Sequence, residues 1–129
     1  MANPHELPQG LTVFVVEDEA LVALNLEDML HELGCSVLGP AMRIERAESM
    51  IEQGVDADVA ILDVNVAGTM VFDFARKLAD RGMPLVFATG YGRAGLPEDF
   101  GQRPILQKPY TAEDVKSGLA QAIAAARTA

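Results

Sequence analysis

The sequence of 129 residues predicts an α/β domain built on a parallel sheet. Short apolar runs alternate five times with segments whose apolar residues recur every three to four positions, the spacing of amphipathic helices. Three of the runs end in charged residues: 13–16 before Glu17-Asp18-Glu19, 59–62 before Asp63, and 105–107 before Lys108-Pro109. Because ligands bind at the carboxyl ends of the strands in open parallel sheets, these residues predict one shared site.

Composition predicts one globular domain with an aliphatic core, since half of the residues are hydrophobic and there is no Trp. The net charge of −9 disfavours nucleic acid as a partner and favours attraction of a cation. The single cysteine, Cys35, is expected to be a small buried hydrophobe. Neither a membrane span of about 20 apolar residues nor a secretory signal pattern is visible, so no membrane contact and a cytoplasmic location are expected.

The first half of the chain is predicted to hold two strands and two helices. Residues 1–10 are expected to be a flexible leader, residues 11–127 the domain, and no output domain is expected. The predicted elements are a strand at 11–16, a helix at 20–33 ended by Gly34, a strand at 35–38 closed by Gly39-Pro40, and a helix at 43–53 ended by Gly54.

The second half continues the alternation, with one weak element. The predicted elements are a strand at 59–62, a turn at 65–69, a helix at 70–80, a strand at 84–88, a strand at 104–107, and a helix from Thr111 to about 126. Residues 89–103 are rich in glycine and proline, so a fourth helix there should be short, frayed, disordered or absent. Thr111 and Asp114 have the spacing of a capping box.

Right-handed crossovers leave few topologies for this pattern, and the flavodoxin-like order 2-1-3-4-5 fits it. That doubly wound order places its switch point between strands 1 and 3. The acidic residues after strand 1 and Asp63 after strand 3 should then flank the same crevice.

Several carboxylates in one crevice repel one another, and a hard divalent cation such as Mg²⁺ would compensate them. Asp18 and Asp63 could supply side-chain ligands and Asn65 a backbone carbonyl. The competing interpretations are an Asp63 that only ends its strand, and acids at 17–19 that only suit a helix N-terminus; we adopt the latter for Glu19.

A carboxylate beside a metal can also act as a nucleophile toward phosphorus. Such a site needs a fixed cation and a small hydroxyl donor for the phosphoryl oxygens, and Lys108 and Thr89 fit these needs. Taken singly, Lys108 could equally be a surface lysine and Thr89 a residue that ends a strand.

Across residues 11–125 the chain resembles the response-regulator receiver domains of two-component signalling. Four blocks carry the resemblance: Val16-Glu17-Asp18-Glu19, Leu62-Asp63-Val64-Asn65, Phe87-Ala88-Thr89-Gly90-Tyr91, and Gln107-Lys108-Pro109-Tyr110. The third block is similar to the motif of a subgroup of single-domain receivers.

The resemblance implies a role for each matching residue. Asp63 would be the phosphoacceptor, and Mg²⁺ would be held by Asp18, Asp63 and the carbonyl of Asn65, with Glu17 completing the acidic pair. Thr89 would be the switch hydroxyl and Lys108 would contact the phosphoryl group. The resemblance also implies a cis peptide bond between Lys108 and Pro109, followed by Tyr110.

The sequence departs from the family pattern in ways that affect the expected switch. Ile105 stands where an aromatic side chain usually rotates on activation, Ala67 replaces a usual proline, and Val71 a usual glycine. We therefore expect phosphorylation to order residues 89–102 instead, with Thr89 reporting the phosphate.

By this resemblance, the expected function is a stand-alone receiver that is not a turnover enzyme. Its phosphoryl donor would be a histidine kinase or a histidine phosphotransfer protein, its output a protein partner, and its state a monomer or weak dimer. The alternatives are a protein-binding module that works without phosphate, an aspartyl-phosphate phosphatase and a flavin carrier. The phosphatase is disfavoured because Asn65 cannot transfer a proton, and the flavin carrier because Glu17-Asp18-Glu19 would repel a phosphate.

Overall fold

The computed structural model describes residues 7–54 and 56–128. Residues 1–6 of the expected leader lie outside this part, and Leu7 packs half-buried against the core. The elements are β1 Thr12–Val16, α1 Ala20–Glu32, β2 Ser36–Ala41, α2 Ile44–Glu52, β3 Val59–Asp63, β4 Asn65–Val66, β5 Thr69–Met70, α3 Phe72–Asp80, β6 Leu85–Thr89, β7 Ile105–Gln107 and α4 Ala112–Thr128, with 3-10 turns at Gly92–Gly95 and Glu98–Phe100.

The predicted sheet is confirmed: five parallel strands lie in the order β2-β1-β3-β6-β7, which is the flavodoxin-like order. Strand β3 is at the centre and all five of its residues are buried. Its register places Val16 beside Leu62 and Asp63 beside Ala88. The carboxyl ends of β1, β3 and β6 therefore lie side by side at one edge of the sheet.

Helices cover both faces of the sheet, so the core has two halves. One half contains the buried sides of α2 and α3, and the other contains those of α1 and α4. Apolar residues that recur every three to four positions are buried at the start of and within α3, and within α4: Val71, Phe74, Ala75 and Leu78, then Val115, Leu119, Ala122 and Ile123. Cys35 is buried among them, as expected.

Strand β2 is longer than predicted, because it continues through Gly39-Pro40 to Ala41. The register between β1 and β2 shifts at this point. A Cβ on Gly39 would lie 2.7 Å from the carbonyl oxygen of Val15, and Gly39 has φ +99°. The glycine therefore permits a close approach between the strands instead of ending β2, and the predicted end at Leu38 was wrong.

A small antiparallel hairpin, β4–β5, follows β3 where the sequence predicted only a turn. Its two central residues, Ala67 and Gly68, have φ values of +51° and +87°, as a type I′ turn requires. Because Met70 belongs to this hairpin, α3 begins at Phe72 and not at the predicted residue 70.

No α-helix forms between β6 and β7, which confirms the prediction that a fourth helix would be short or absent. Specific contacts nevertheless hold part of this segment. Phe100 is buried against Phe87 and Phe72. The guanidinium of Arg76 on α3 lies 5.6 Å from the Phe100 ring centroid and pairs with Asp99 at 2.9 Å. These contacts anchor the second 3-10 turn, so the segment without an α-helix is fixed to the core at this end.

Within the described residues, none of the helices is both long enough and apolar enough to cross a bilayer.

We predict that Gly39→Ala lowers the free energy of unfolding by about 3 kcal/mol, because the new methyl group meets backbone atoms of both strands. Gly54→Ala is the matched control. Gly54 has φ +91° with nothing within 4 Å, and its replacement should cost about 1 kcal/mol of backbone strain. Urea denaturation of both variants measures the difference, and equal losses would contradict the close approach.

Candidate functional site

The site lies in the crevice between the carboxyl ends of β1 and β3, where the topology places its switch point. Glu17 follows β1, Asp63 ends β3, and Lys108 follows β7. The Lys108 Nζ lies 3.0 Å from Glu17 Oε1 and 3.3 Å from Asp63 Oδ1. Three residues that are far apart in the sequence thus meet around one ammonium group.

Burial makes it unfavourable for the carboxyl groups of this cluster to carry a charge. Glu17 is only 2% exposed and Asp63 only 7%. Burial, assisted by the neighbouring Glu17 carboxylate, raises the pKa of Asp63 to about 7, and the charge of Lys108 opposes this rise. The pKa of Lys108 is also raised: burial alone would lower it, but the hydrogen bond to Glu17 and the charge of Asp63 outweigh that effect.

Asp18 stands at the more open side of the crevice and is held by the hairpin. Its Oδ2 accepts a hydrogen bond from the backbone N–H of Ala67 at 3.0 Å. Partial burial would raise the pKa of Asp18, but this hydrogen bond and others hold it below its usual value. Asn65 Oδ1 accepts a hydrogen bond from the N–H of Gly68 at 3.0 Å, within the same hairpin.

Together the acidic residues form a set that fits a hard metal ion. One carboxylate oxygen from each of Glu17, Asp18 and Asp63 lies within 4.8 Å of the others. Oxygen ligands of this kind suit Mg²⁺, which needs few protein ligands because it keeps several waters. Glu19 is exposed and 4.0 Å from Lys108 Nζ, which agrees with its assignment to the solvated helix start.

Thr89 brings a hydroxyl to the end of β6, next to the strand that ends in Asp63. It is 2% exposed, and its Oγ1 accepts a hydrogen bond from the N–H of Tyr91 at 3.0 Å. The hydroxyl proton is not used in that bond and can be donated elsewhere. Tyr91 itself is 88% exposed.

The residues around Lys108 complete the site. The peptide bond between Lys108 and Pro109 is cis, as the resemblance implied. Burial raises the pKa of Tyr110 to about 12, and its hydroxyl has no hydrogen-bond partner among the described residues. Ile105 is half-buried and packs against the core on the α2–α3 side.

Sequence reasoning missed Ala67 as the partner of Asp18. The two strands of the hairpin are two residues each, too short for an alternating pattern. The pair Ala67-Gly68 was the available signal, although type I′ turns favour Asn-Gly more strongly.

No family model matches the sequence. Among curated proteins, the transcriptional regulatory protein PdtaR of Mycobacterium tuberculosis is 31% identical over 107 residues, covering 80% of this chain and 52% of PdtaR. This chain spans about half the length of the curated relatives that it matches.

Among solved structures, SdrG from Sphingomonas melonis is 38% identical with a TM-score of 0.75, covering 94% of this chain and 99% of SdrG. PhyR from Bartonella quintana, an anti-anti-sigma factor, is 26% identical with a TM-score of 0.78, covering 96% of this chain and 51% of PhyR. The receiver domain of the response regulator PhyR from Erythrobacter litoralis shares the fold, with a TM-score of 0.78.

Homologues and structural neighbours of this chain are response-regulator receiver domains, and the chain has the receiver fold. The flavodoxin-like sheet and the placement of the acidic cluster at its switch point are therefore features of a receiver domain.

The raised pKa of Asp63 predicts a pH-dependent effect of Asp63→Asn on the stability of the metal-free receiver. The folded state keeps the Asp63 proton up to about pH 7, whereas the unfolded chain releases it near 3.8. Protonation therefore stabilises the fold at acidic pH, and this contribution is lost as pH rises through 7.

The stability gain from Asp63→Asn should thus grow by about 2 kcal/mol between pH 5 and pH 8. Denaturation of the wild type and the variant, with a chelator present, measures the difference in their free energies of unfolding at each pH. Asp80→Asn, an exposed acid on α3, is the control and should give no such trend. A gain for Asp63→Asn that is the same at both pH values would contradict the buried, protonated carboxyl.

Proposed function

We propose that this receiver accepts a phosphoryl group on Asp63, in a Mg²⁺-dependent reaction, from a histidine kinase or a histidine phosphotransfer protein. The observation that carries the proposal is the buried Asp63 carboxylate, 3.3 Å from Lys108 Nζ and next to two further carboxylates that fit a metal. We also assign the chain to the single-domain subgroup that has the Phe87-Ala88-Thr89-Gly90-Tyr91 motif.

In the proposed reaction, a carboxylate oxygen of Asp63 forms a bond to phosphorus while the P–N bond of the donor phosphohistidine breaks. The electron pair of that bond stays on the imidazole nitrogen, and the donor ring, already protonated on its other nitrogen, leaves as neutral imidazole. The product is an acyl phosphate on Asp63, and water later hydrolyses it, which restores the carboxylate and releases inorganic phosphate. Asp18, Asp63 and the backbone carbonyl of Asn65 would hold the Mg²⁺, with Glu17 completing the acidic pair. The bound Mg²⁺ would supply positive charge beside the phosphoryl oxygens.

Lys108 and Thr89 serve the transferred group in this proposal. Lys108 already lies between Glu17 and Asp63, so its ammonium can move onto a phosphoryl oxygen with little rearrangement. The Thr89 hydroxyl oxygen accepts a hydrogen bond from the N–H of Tyr91, so its O–H can donate a hydrogen bond to a second phosphoryl oxygen. Ile105 lies on β7, three residues before Lys108, and Pro109 and Tyr110 directly follow Lys108. Because residue 105 is not aromatic, Thr89 is left as the reporter.

The output in this proposal is contact with another protein and not turnover of a small substrate. PhyR from Bartonella quintana, an anti-anti-sigma factor, gives a precedent among homologues for a protein partner. Leu21 and Leu24 on α1 are 77% and 55% exposed, and such apolar side chains suit a protein contact. We further propose a cytoplasmic protein that is a monomer or weak dimer and contacts neither nucleic acid nor membrane.

We predict that incubation with Mg²⁺ and a small phosphoramidate donor adds one phosphoryl group to the wild-type chain. Asp63→Asn should abolish the adduct because it removes the nucleophile, and a chelator should do the same. Asp80→Asn should leave it intact. Intact-mass spectrometry measures all four samples.

A mass shift that survives Asp63→Asn would overturn the assignment of the acceptor. If no adduct forms, beryllofluoride, a mimic of the phosphoryl group, distinguishes fast hydrolysis from inactivity. Failure of both probes on the wild type would support the phosphate-independent binding module. Turnover of a generic phosphoester would instead support the phosphatase.

We predict that beryllofluoride and Mg²⁺ shift the amide resonances of residues 90–95, because these residues adjoin the Thr89 hydroxyl. The second 3-10 turn should respond less, since Arg76 and Phe100 already anchor it. Thr89→Ser keeps the hydroxyl and should keep the shifts, whereas Thr89→Val should lose them. If Thr89→Val responds like the wild type, Thr89 is not the reporter.

A further inference from the structure

We infer that the β4–β5 hairpin is a positioning element of the metal site and that Ala67 and Gly68 are positioning residues for it. The inference rests on the proposed Mg²⁺ site and concerns this chain's own backbone. It goes beyond the ligands themselves, because it states what holds two of them in place. Two independent features of the hairpin support it.

The first feature is the hydrogen bond from the Ala67 N–H to Asp18 Oδ2 at 3.0 Å. These residues are 49 positions apart, and Asp18 lies in the loop between β1 and α1. The bond engages Asp18 Oδ2, and Asp18 also offers one carboxylate oxygen to the acidic cluster. Asp18 precedes α1, which begins at Ala20, and the hairpin adds a support from a distant part of the chain to the local hydrogen bond from the backbone of Asp18 itself.

The second feature is the register of the hairpin. The Val71 N–H donates to the Val64 carbonyl at 2.9 Å, which makes these two residues a hydrogen-bonded pair. The next opposed pair is Asn65 and Met70. In antiparallel strands hydrogen-bonded and non-hydrogen-bonded pairs alternate, so the carbonyl of Asn65 is not used by β5. A one-residue change of register would engage that carbonyl in the ladder.

Both features depend on a turn that requires left-handed backbone at two successive residues. Gly68 adopts φ +87° without strain, and Ala67 adopts φ +51° although it has a side chain. The turn is exposed, and a Cβ on Gly68 would meet nothing within 4 Å. Its conformation can therefore be weakened without disturbing the core.

The test compares two valine substitutions at left-handed glycines. Gly68→Val strains the hairpin turn, and Gly82→Val strains the end of α3, where φ is +81° and a Cβ would also meet nothing within 4 Å. Both should lower stability by similar amounts. Only Gly68→Val should weaken Mg²⁺ binding, by about three- to tenfold, because the site is then complete in a smaller fraction of molecules.

Calorimetric titration with Mg²⁺ measures the affinity, and amide exchange measures the hairpin. The Ala67 amide should be protected in the wild type and lose protection in Gly68→Val. Ala67→Gly keeps the N–H and the turn, so it should bind Mg²⁺ at least as tightly as the wild type. The inference fails if Gly68→Val and Gly82→Val bind Mg²⁺ equally, or if Ala67→Gly is weakened as much as Gly68→Val.

The outcome is separable from that of the proposed function. If the wild type accepts a phosphoryl group on Asp63 while Mg²⁺ affinity is indifferent to the hairpin, only the present inference fails. If Mg²⁺ affinity follows the hairpin while no phosphoryl group is accepted, the phosphoacceptor proposal fails instead.

Discussion

The contacts of one ammonium group with two buried carboxylates are the interaction on which this site depends. Glu17 and Asp63 are both buried and repel each other, and Lys108 provides the compensating charge at 3.0 and 3.3 Å. The compensation is incomplete, as the raised pKa of Asp63 shows. The site therefore has excess negative charge that a cation can relieve, and this connects its electrostatics to its proposed chemistry.

The sheet order brings these charges together. In the order β2-β1-β3-β6-β7, the chain leaves β1 and β3 from the same edge but toward opposite faces. A crevice results between them, and the residue after β1 and the last residue of β3 border it. The buried apolar strands thus fix the positions of acids that could not approach each other on a free chain.

The features that could be predicted from the sequence are those that depend on where strands end and on the periodicity of helices. Glu17, Asp63 and Lys108 were identified because each follows a recognisable apolar run, and the topology then required them to meet. The helices predicted at 70–80 and from Thr111 were also found, because the spacing of their apolar residues reports burial directly. By contrast, Gly39-Pro40 resembled a strand end because local propensity does not show a close approach between strands. The hairpin was missed because two-residue strands carry no periodic signal.

The contacts that hold Asp99 and Phe100 against Arg76 of α3 limit how far the proposed signal from Thr89 can extend along the chain. Residues 90–98 lie between Thr89 and this anchor, and Tyr91 is the most exposed large apolar side chain in the part of the chain that the structure describes. Residues 90–98 therefore form a short segment that is fixed to α3 at its C-terminal end. Under the proposed function, a partner that senses the state of the crevice would contact residues close to Thr89, at the rim of the site.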